Sequence, residues 1–133
     1  MVSVSASDLD TILNLSGQVS DENLEAILDL AIDSLNIFGA SLSNMTGTAG
    51  TKTVDLTSQQ RGAVLIVARE IYNKFYKGAG TATATGGFTV TVGDLLDDND
   101  LAALLEKLGE KLAMSSTSVG VAFSVAEDTS GIE

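Results

Sequence analysis

Apolar residues recur at helical spacing in four stretches of the chain, and each stretch carries residues that start or stop helices. Ser7 precedes Asp8-Leu9-Asp10-Thr11-Ile12-Leu13, with an acid in the first turn and apolar positions at Leu9, Ile12 and Leu13. That pattern predicts a short capped helix, stopped by Gly17. Ser20-Asp21 opens a second helix, in which Leu24, Ile27, Leu28, Ala31, Leu35 and Phe38 form one stripe, Glu25, Asp29 and Asp33 fall outside it, and Gly39 closes the run. Thr57 and Gln60 make a capping-box pair ahead of Ala63-Val64-Leu65-Ile66-Val67-Ala68. This run is β-branched enough for a buried strand, but the cap, the length to Lys77, and Ile71, Tyr72, Phe75 and Tyr76 at helical spacing favour a third helix. Val64, Ala68, Ile71, Tyr72, Phe75 and Tyr76 share a face while Ile66 and Val67 lie off it, so the helix must be covered on several sides. It is either a central core helix or a subunit contact. A fourth helix follows Asp94, through Leu101, Leu104, Leu105, Leu108 and Leu112, with Lys107 and Lys111 near its end.

Two stretches alternate with period two instead. Phe88-Thr89-Val90-Thr91-Val92 reads as a short strand, preceded by a spacer of small residues at 78–87. Val119, Val121, Phe123 and Val125 point one way and Gly120, Ala122, Ser124 and Ala126 the other, which reads as a strand with one apolar face. It can pair with 88–92 of its own chain or add to another chain. Residues 43–53, rich in Gly, Ser and Thr, read as an exposed loop. The expected fold is mainly α: a small bundle of about four helices, with a short strand after the third helix and a C-terminal strand or arm. The helical domain spans 1–114 and the extension 115–133.

Composition narrows the chemistry. The 133 residues contain 44% hydrophobic residues, enough for one domain with a core, and no His, Cys, Trp or Pro. Imidazole bases, thiolate nucleophiles, disulfides and thiolate metal sites are thereby excluded, so stability must come from packing, within the chain or against other subunits. The N-terminus lacks the basic and apolar regions of a secretory signal, and no run reaches the roughly 18 apolar residues of a membrane span.

Eighteen acids against seven bases give a formal charge of −11, unevenly placed. Residues 1–56 and 78–133 each carry −7, while 57–77 carry +3, from Arg61, Arg69, Lys74 and Lys77 against Glu70. The basic segment either balances charge internally, with Glu70 and Lys74 as an i,i+4 pair, or receives acidic faces of neighbouring copies. An acidic surface does not bind nucleic acid through its phosphates.

Asp94, Asp97, Asp98, Asn99 and Asp100 lie close in sequence but lack the alternation, Gly and terminal Glu of a calcium loop; they read as acids at a helix N-terminus. Neither Gly-rich stretch has the order of a phosphate loop. Nothing gathers the carboxylates, tyrosines or lysines into a catalytic set, so no enzyme, cofactor or metal is expected.

The order of a short capped helix, an acidic amphipathic helix, a Gly/Thr loop and Val54-Asp55-Leu56-Thr57 leading into the apolar third helix that ends Tyr72-Asn73-Lys74-Phe75-Tyr76 resembles the head-tail connector (adaptor) proteins of tailed viruses. The resemblance spans about residues 7–113. It implies a structural virion protein, assembled in the host cytoplasm and located in the neck. Its copies would form a ring, twelve-fold by that resemblance, between the portal protein and a tail-completion or tail protein, around a channel that DNA passes through without specific binding. The residues expected to meet neighbours are Arg61, Arg69, Lys74, Lys77, Ile66, Val67, Val119, Val121, Phe123 and Val125. The alternative is a free-standing acidic helical module for protein–protein interaction, from an acidic or salt-adapted proteome.

Overall fold

The computed structural model describes residues 1–76 and 90–121, with side chains described through Met114. The chain runs β1 (Val2–Ser5), α1 (Ala6–Leu13), α2 (Asp21–Ile37), β2 (Thr53–Leu56), α3 (Ser58–Ile71), a π-helical turn (Tyr72–Tyr76), α4 (Val92–Leu96) and α5 (Asn99–Val121). It is mainly α with one small two-stranded sheet, in line with the helical periodicity.

The helices start where a side chain can take up an orphan backbone N–H. Thr57 Oγ1 accepts the Gln60 N–H at 3.1 Å while Gln60 Oε1 accepts the Thr57 N–H at 3.0 Å, the reciprocal box expected from sequence. Ser20 Oγ accepts the Asn23 N–H at 3.2 Å, opening α2 as expected. Helix α1 starts earlier than predicted: Ser5, not Ser7, is its N-cap, and the Ser5 N–H donates to Asp8 Oδ2 at 2.8 Å. It also stops earlier, at Asn14 rather than Gly17. Asn14 takes a left-handed conformation (φ 57°), and the Leu15 N–H then reaches the Asp10 carbonyl at 3.1 Å. Asparagine tolerates that conformation, so glycine is not needed. Helix α2 ends in the same way at Gly39 (φ 96°), with the Ala40 N–H on the Leu35 carbonyl at 3.4 Å.

Both predicted strands require correction. Thr91 caps α4, its Oγ1 accepting the Asp94 N–H at 3.3 Å, and Val92 is the first helical residue. Three alternating residues are outweighed by a cap that satisfies orphan donors. Phe88 and Thr89 lie outside the described residues. At the other site the backbone stays helical through Val121, so Val119 and Val121 belong to α5, while Phe123 and Val125 lie outside the described residues. Extending a formed helix adds a hydrogen bond for each residue fixed, whereas valine favours a strand only beside partners to pack on. The observed strands lie elsewhere. β1 and β2 pair antiparallel with Val4 opposite Val54 and Ser5 opposite Thr53, and Val4, Val54 and Leu56 face the core.

Together with α3, which touches α1, α5 and both strands, helix α2 is the centre of the molecule. Leu24, Ile27, Leu28, Ala31, Ile32 and Leu35 are all buried, and α1, α3, α4 and α5 pack on it. Its polar side is covered too. Glu25, Asp29, Asp33 and Asn36 recur at the spacing of one helix side, and they hold the segment that returns to the sheet. Glu25, only 3% exposed, accepts the Gly50 N–H on Oε1 at 2.8 Å and the Lys52 N–H on Oε2 at 2.9 Å. Asp29 Oδ1 accepts the Met45 N–H at 3.1 Å, and Asp33 Oδ1 accepts from Asn44 Nδ2 at 2.8 Å. Asn36 bonds both backbone groups of Leu42, at 2.6 and 2.9 Å. The predicted loop at 43–53 does expose Thr46 to Ala49, but Met45 is buried, and a bridge joins Thr46 to Thr53.

Helix α5 crosses close to the end of α2 at Gly109. A Cβ there would lie 2.5 Å from Phe38 Cβ and 3.1 Å from the Leu35 carbonyl oxygen. Gly62 in α3 has nothing within 4 Å of that position.

Two outcomes follow for stability. Gly109→Ala is expected to destabilise by about 1–2 kcal/mol despite alanine's better helix propensity, whereas Gly62→Ala stabilises by up to about 1 kcal/mol; urea unfolding of both checks the contrast. Glu25→Ala leaves the Gly50 and Lys52 amides unpaired and is expected to cost about 2 kcal/mol, with amide hydrogen exchange accelerated at those two residues.

Candidate subunit-contact surface

Helix α3 buries Val64, Val67, Ala68 and Ile71 against the core and turns Ser58, Gly62, Ile66 and Arg69 outward. Ile66 is 40% exposed, and Ile12 on the neighbouring α1 is 43% exposed. Ile66 stands between two shallow grooves. One, of about 210 Å³, lies between α1 and α3 and is lined by Ile12, Arg61, Gly62, Leu65, Ile66 and Arg69. The other, of about 220 Å³, lies between α3 and α5 and includes Gly62, Ala63, Ile66, Leu108, Lys111 and Leu112. Both are smaller than the roughly 300–1,000 Å³ of small-molecule sites and suit single side chains of another protein segment. Gly62 serves both, because the absence of a side chain one turn before Ile66 opens the surface around it.

The charged residues of this region divide into paired and unpaired. Arg61 Nη2 lies 3.4 Å from Asp8 Oδ1, tying α3 to the start of α1. The pair is partly exposed, so its contribution is small and it can be exchanged for another carboxylate. Lys74 Nζ lies 3.4 Å from Asp98 Oδ2, not beside Glu70 as the i,i+4 spacing predicts. The π-helical turn begins at Tyr72, and its wider winding takes Lys74 out of the α-helical register with Glu70. Arg69 and Lys111 are exposed and make no ion pair among the described residues.

The residues expected to meet neighbours are thus sorted. Arg61, Ile66 and Arg69 come together on one surface. Lys74 is engaged at the junction with α5. Val67 is 0% exposed and offers a partner no surface in this conformation, because α3 turns it toward the core, opposite Gly62 and Arg69. Val119 and Val121 are on a helix, and Lys77, Phe123 and Val125 lie outside the described residues. Ile12, Gly62, Leu108 and Lys111 were not singled out from sequence. Ile12 falls on the same apolar edge as Leu9, which is fully buried, and periodicity does not separate an inward from an outward member of one edge. Gly62 did carry a signal, since glycine inside a helix is unfavourable by about 1 kcal/mol without a reason.

No protein-family model, curated protein or solved structure matches the chain. Among the described residues no group of three or more His, Cys, Asp or Glu could hold a metal ion, and no helix is long and apolar enough to cross a membrane.

Asp98 caps the start of α5 beside Lys74. The Leu101 N–H, which donates to Asp98 Oδ1 at 3.0 Å, holds its carboxyl below the usual aspartate value; partial desolvation opposes this, and the Lys74 ammonium adds to the lowering. A pKa lowered by folding stabilises the fold at neutral pH, and that contribution is lost as the pH falls through the folded value. Asp98→Asn is therefore expected to flatten the fall in stability on the acid side, measured by unfolding at a series of pH values below that of an unfolded aspartate.

Proposed function

We propose that the chain is a structural subunit of a virion neck: a head-tail connector whose copies form a ring between portal and tail around the DNA exit channel. The observation that carries this reading is the α3 surface, where exposed Ile66 and Ile12 stand beside Arg61 and Arg69 on a molecule of net charge −11. Every other copy presents a largely acidic exterior, so this basic and apolar face is complementary to its own kind. Charge of that sort selects partner and register more than it sets affinity. The acidic remainder suits a channel wall, because it neutralises no phosphates and lets DNA pass. The role is non-catalytic, and the order of elements that resembles connector proteins supplies the place in the particle.

A second reading has an observation of its own. The core closes within one chain, with Val67, Ala68 and Ile71 fully buried, so a lone copy has a complete interior, as a free-standing interaction module requires. The two readings part on assembly. On the connector reading, tagged full-length chain recovers portal and tail-completion proteins from lysate of the source, and a chain ending at Met114 keeps its helical circular dichroism but loses them. A lone monomer from both chains sinks the connector and favours the module.

A further inference from the structure

We infer that the groove between α1 and α3 is the socket for residues 122–133 of a neighbouring copy, the segment that follows α5. The inference rests on the reading that copies associate, and it names the parts that meet. Three features of the groove select the occupant. Its floor is apolar, with Ile12, Leu65 and Ile66. Its rim is cationic, with Arg69 unpaired among the described residues and Arg61 in a partly exposed pair that a stronger partner can displace. Its volume of about 210 Å³ admits one or two side chains, not a folded surface.

The terminal segment matches each feature. Ala122-Phe123-Ser124-Val125-Ala126 offers two apolar side chains separated by small residues, followed at once by Glu127-Asp128, and Glu133 closes the chain. The segment carries three acids and no base. Other acids are poorer candidates. Glu25, Asp29 and Asp33 hold the 42–52 segment, while the Asp94 carboxylate accepts the Thr91 N–H at the start of α4 and Asp98 caps α5. Asp21, Glu22, Glu106 and Glu110 lie on helices, where no alternating apolar strip accompanies them. Desolvating Phe123 over the isoleucines while Glu127 and Asp128 meet the arginines gives an attraction that added salt weakens.

The chain has no cysteine, so introduced thiols report without background. Full-length Ile66→Cys and Val125→Cys chains, mixed under mild oxidation, are expected to form the mixed disulfide in several-fold higher yield than Val125→Cys mixed with Thr48→Cys, an exposed position on the 43–53 loop. Ile12→Cys serves as a second groove position should Ile66→Cys not fold. Arg69→Glu in the groove chain lowers the yield several-fold, and Glu127→Arg in the tail chain restores it. A yield equal to the Thr48 control overturns the inference. So does a disulfide that closes within single chains carrying both Ile66→Cys and Val125→Cys, with none between copies. Light scattering of the unsubstituted chain separates the two levels: assemblies without the groove disulfide refute this contact alone, and a lone monomer refutes the association on which it rests.

Discussion

The buried carboxylate of Glu25 pins the long return of the chain to its sheet. Residues 39 to 52 carry few apolar side chains, with Ala40, Leu42 and Met45 the buried ones, and this is too little to fix a long return by packing. Their backbone is instead fastened to one side of α2 by Asn36, Asp29 and Glu25 in succession, and Asp33 holds the Asn44 side chain. The last contact is the deepest, with both carboxylate oxygens engaged. It delivers Thr53 into register with Ser5, so the pairing of β1 with β2 depends on it. Charge-assisted bonds to backbone N–H groups are stronger than neutral ones, which suits a task that packing cannot perform.

With α2 largely occupied by core on one side and by this segment on the other, α3 and α1 together present an outward apolar face. The inner side of α3 completes the core; its outer side carries Gly62, Ile66 and Arg69 into view, and α1 supplies Ile12 beside them. The same arrangement consumes much of the acidity of α2 internally. What remains outside is a molecule acidic over most of its exterior and basic at one groove, an asymmetry that favours contact between unlike faces of equal subunits.

Helix positions were largely legible because they depend on local chemistry. Thr57 with Gln60, Ser20 and Gly39 act within a few residues of themselves, and the structure uses them as their spacing implies. The failures share a cause of the opposite kind. Val2-Ser3-Val4-Ser5 alternates only briefly and becomes a strand through Thr53–Leu56, some fifty residues away. Val119 and Val121 alternate as well and remain helical, continuing a helix already formed. Of the surface on α3, Arg61, Ile66 and Arg69 were visible as an off-face apolar residue among basic ones, but the burial of Val67 and the exposure of Ile12 were not.

By itself the sequence determined the mainly α class, the starts of α2 and α3, the stop of α2, the segregation of charge and the lack of imidazole and thiol chemistry, because each is a property of single residues or of neighbours within a turn or two. Only the tertiary structure decided that Glu25 and Asp29, outside the apolar stripe of α2, latch a distant backbone rather than face solvent. It also decided that one isoleucine of α3 faces out while the adjacent valine faces in. Those outcomes depend on which distant segment arrives to cover which side of a helix, and periodicity records the angle between residues without recording what lies opposite.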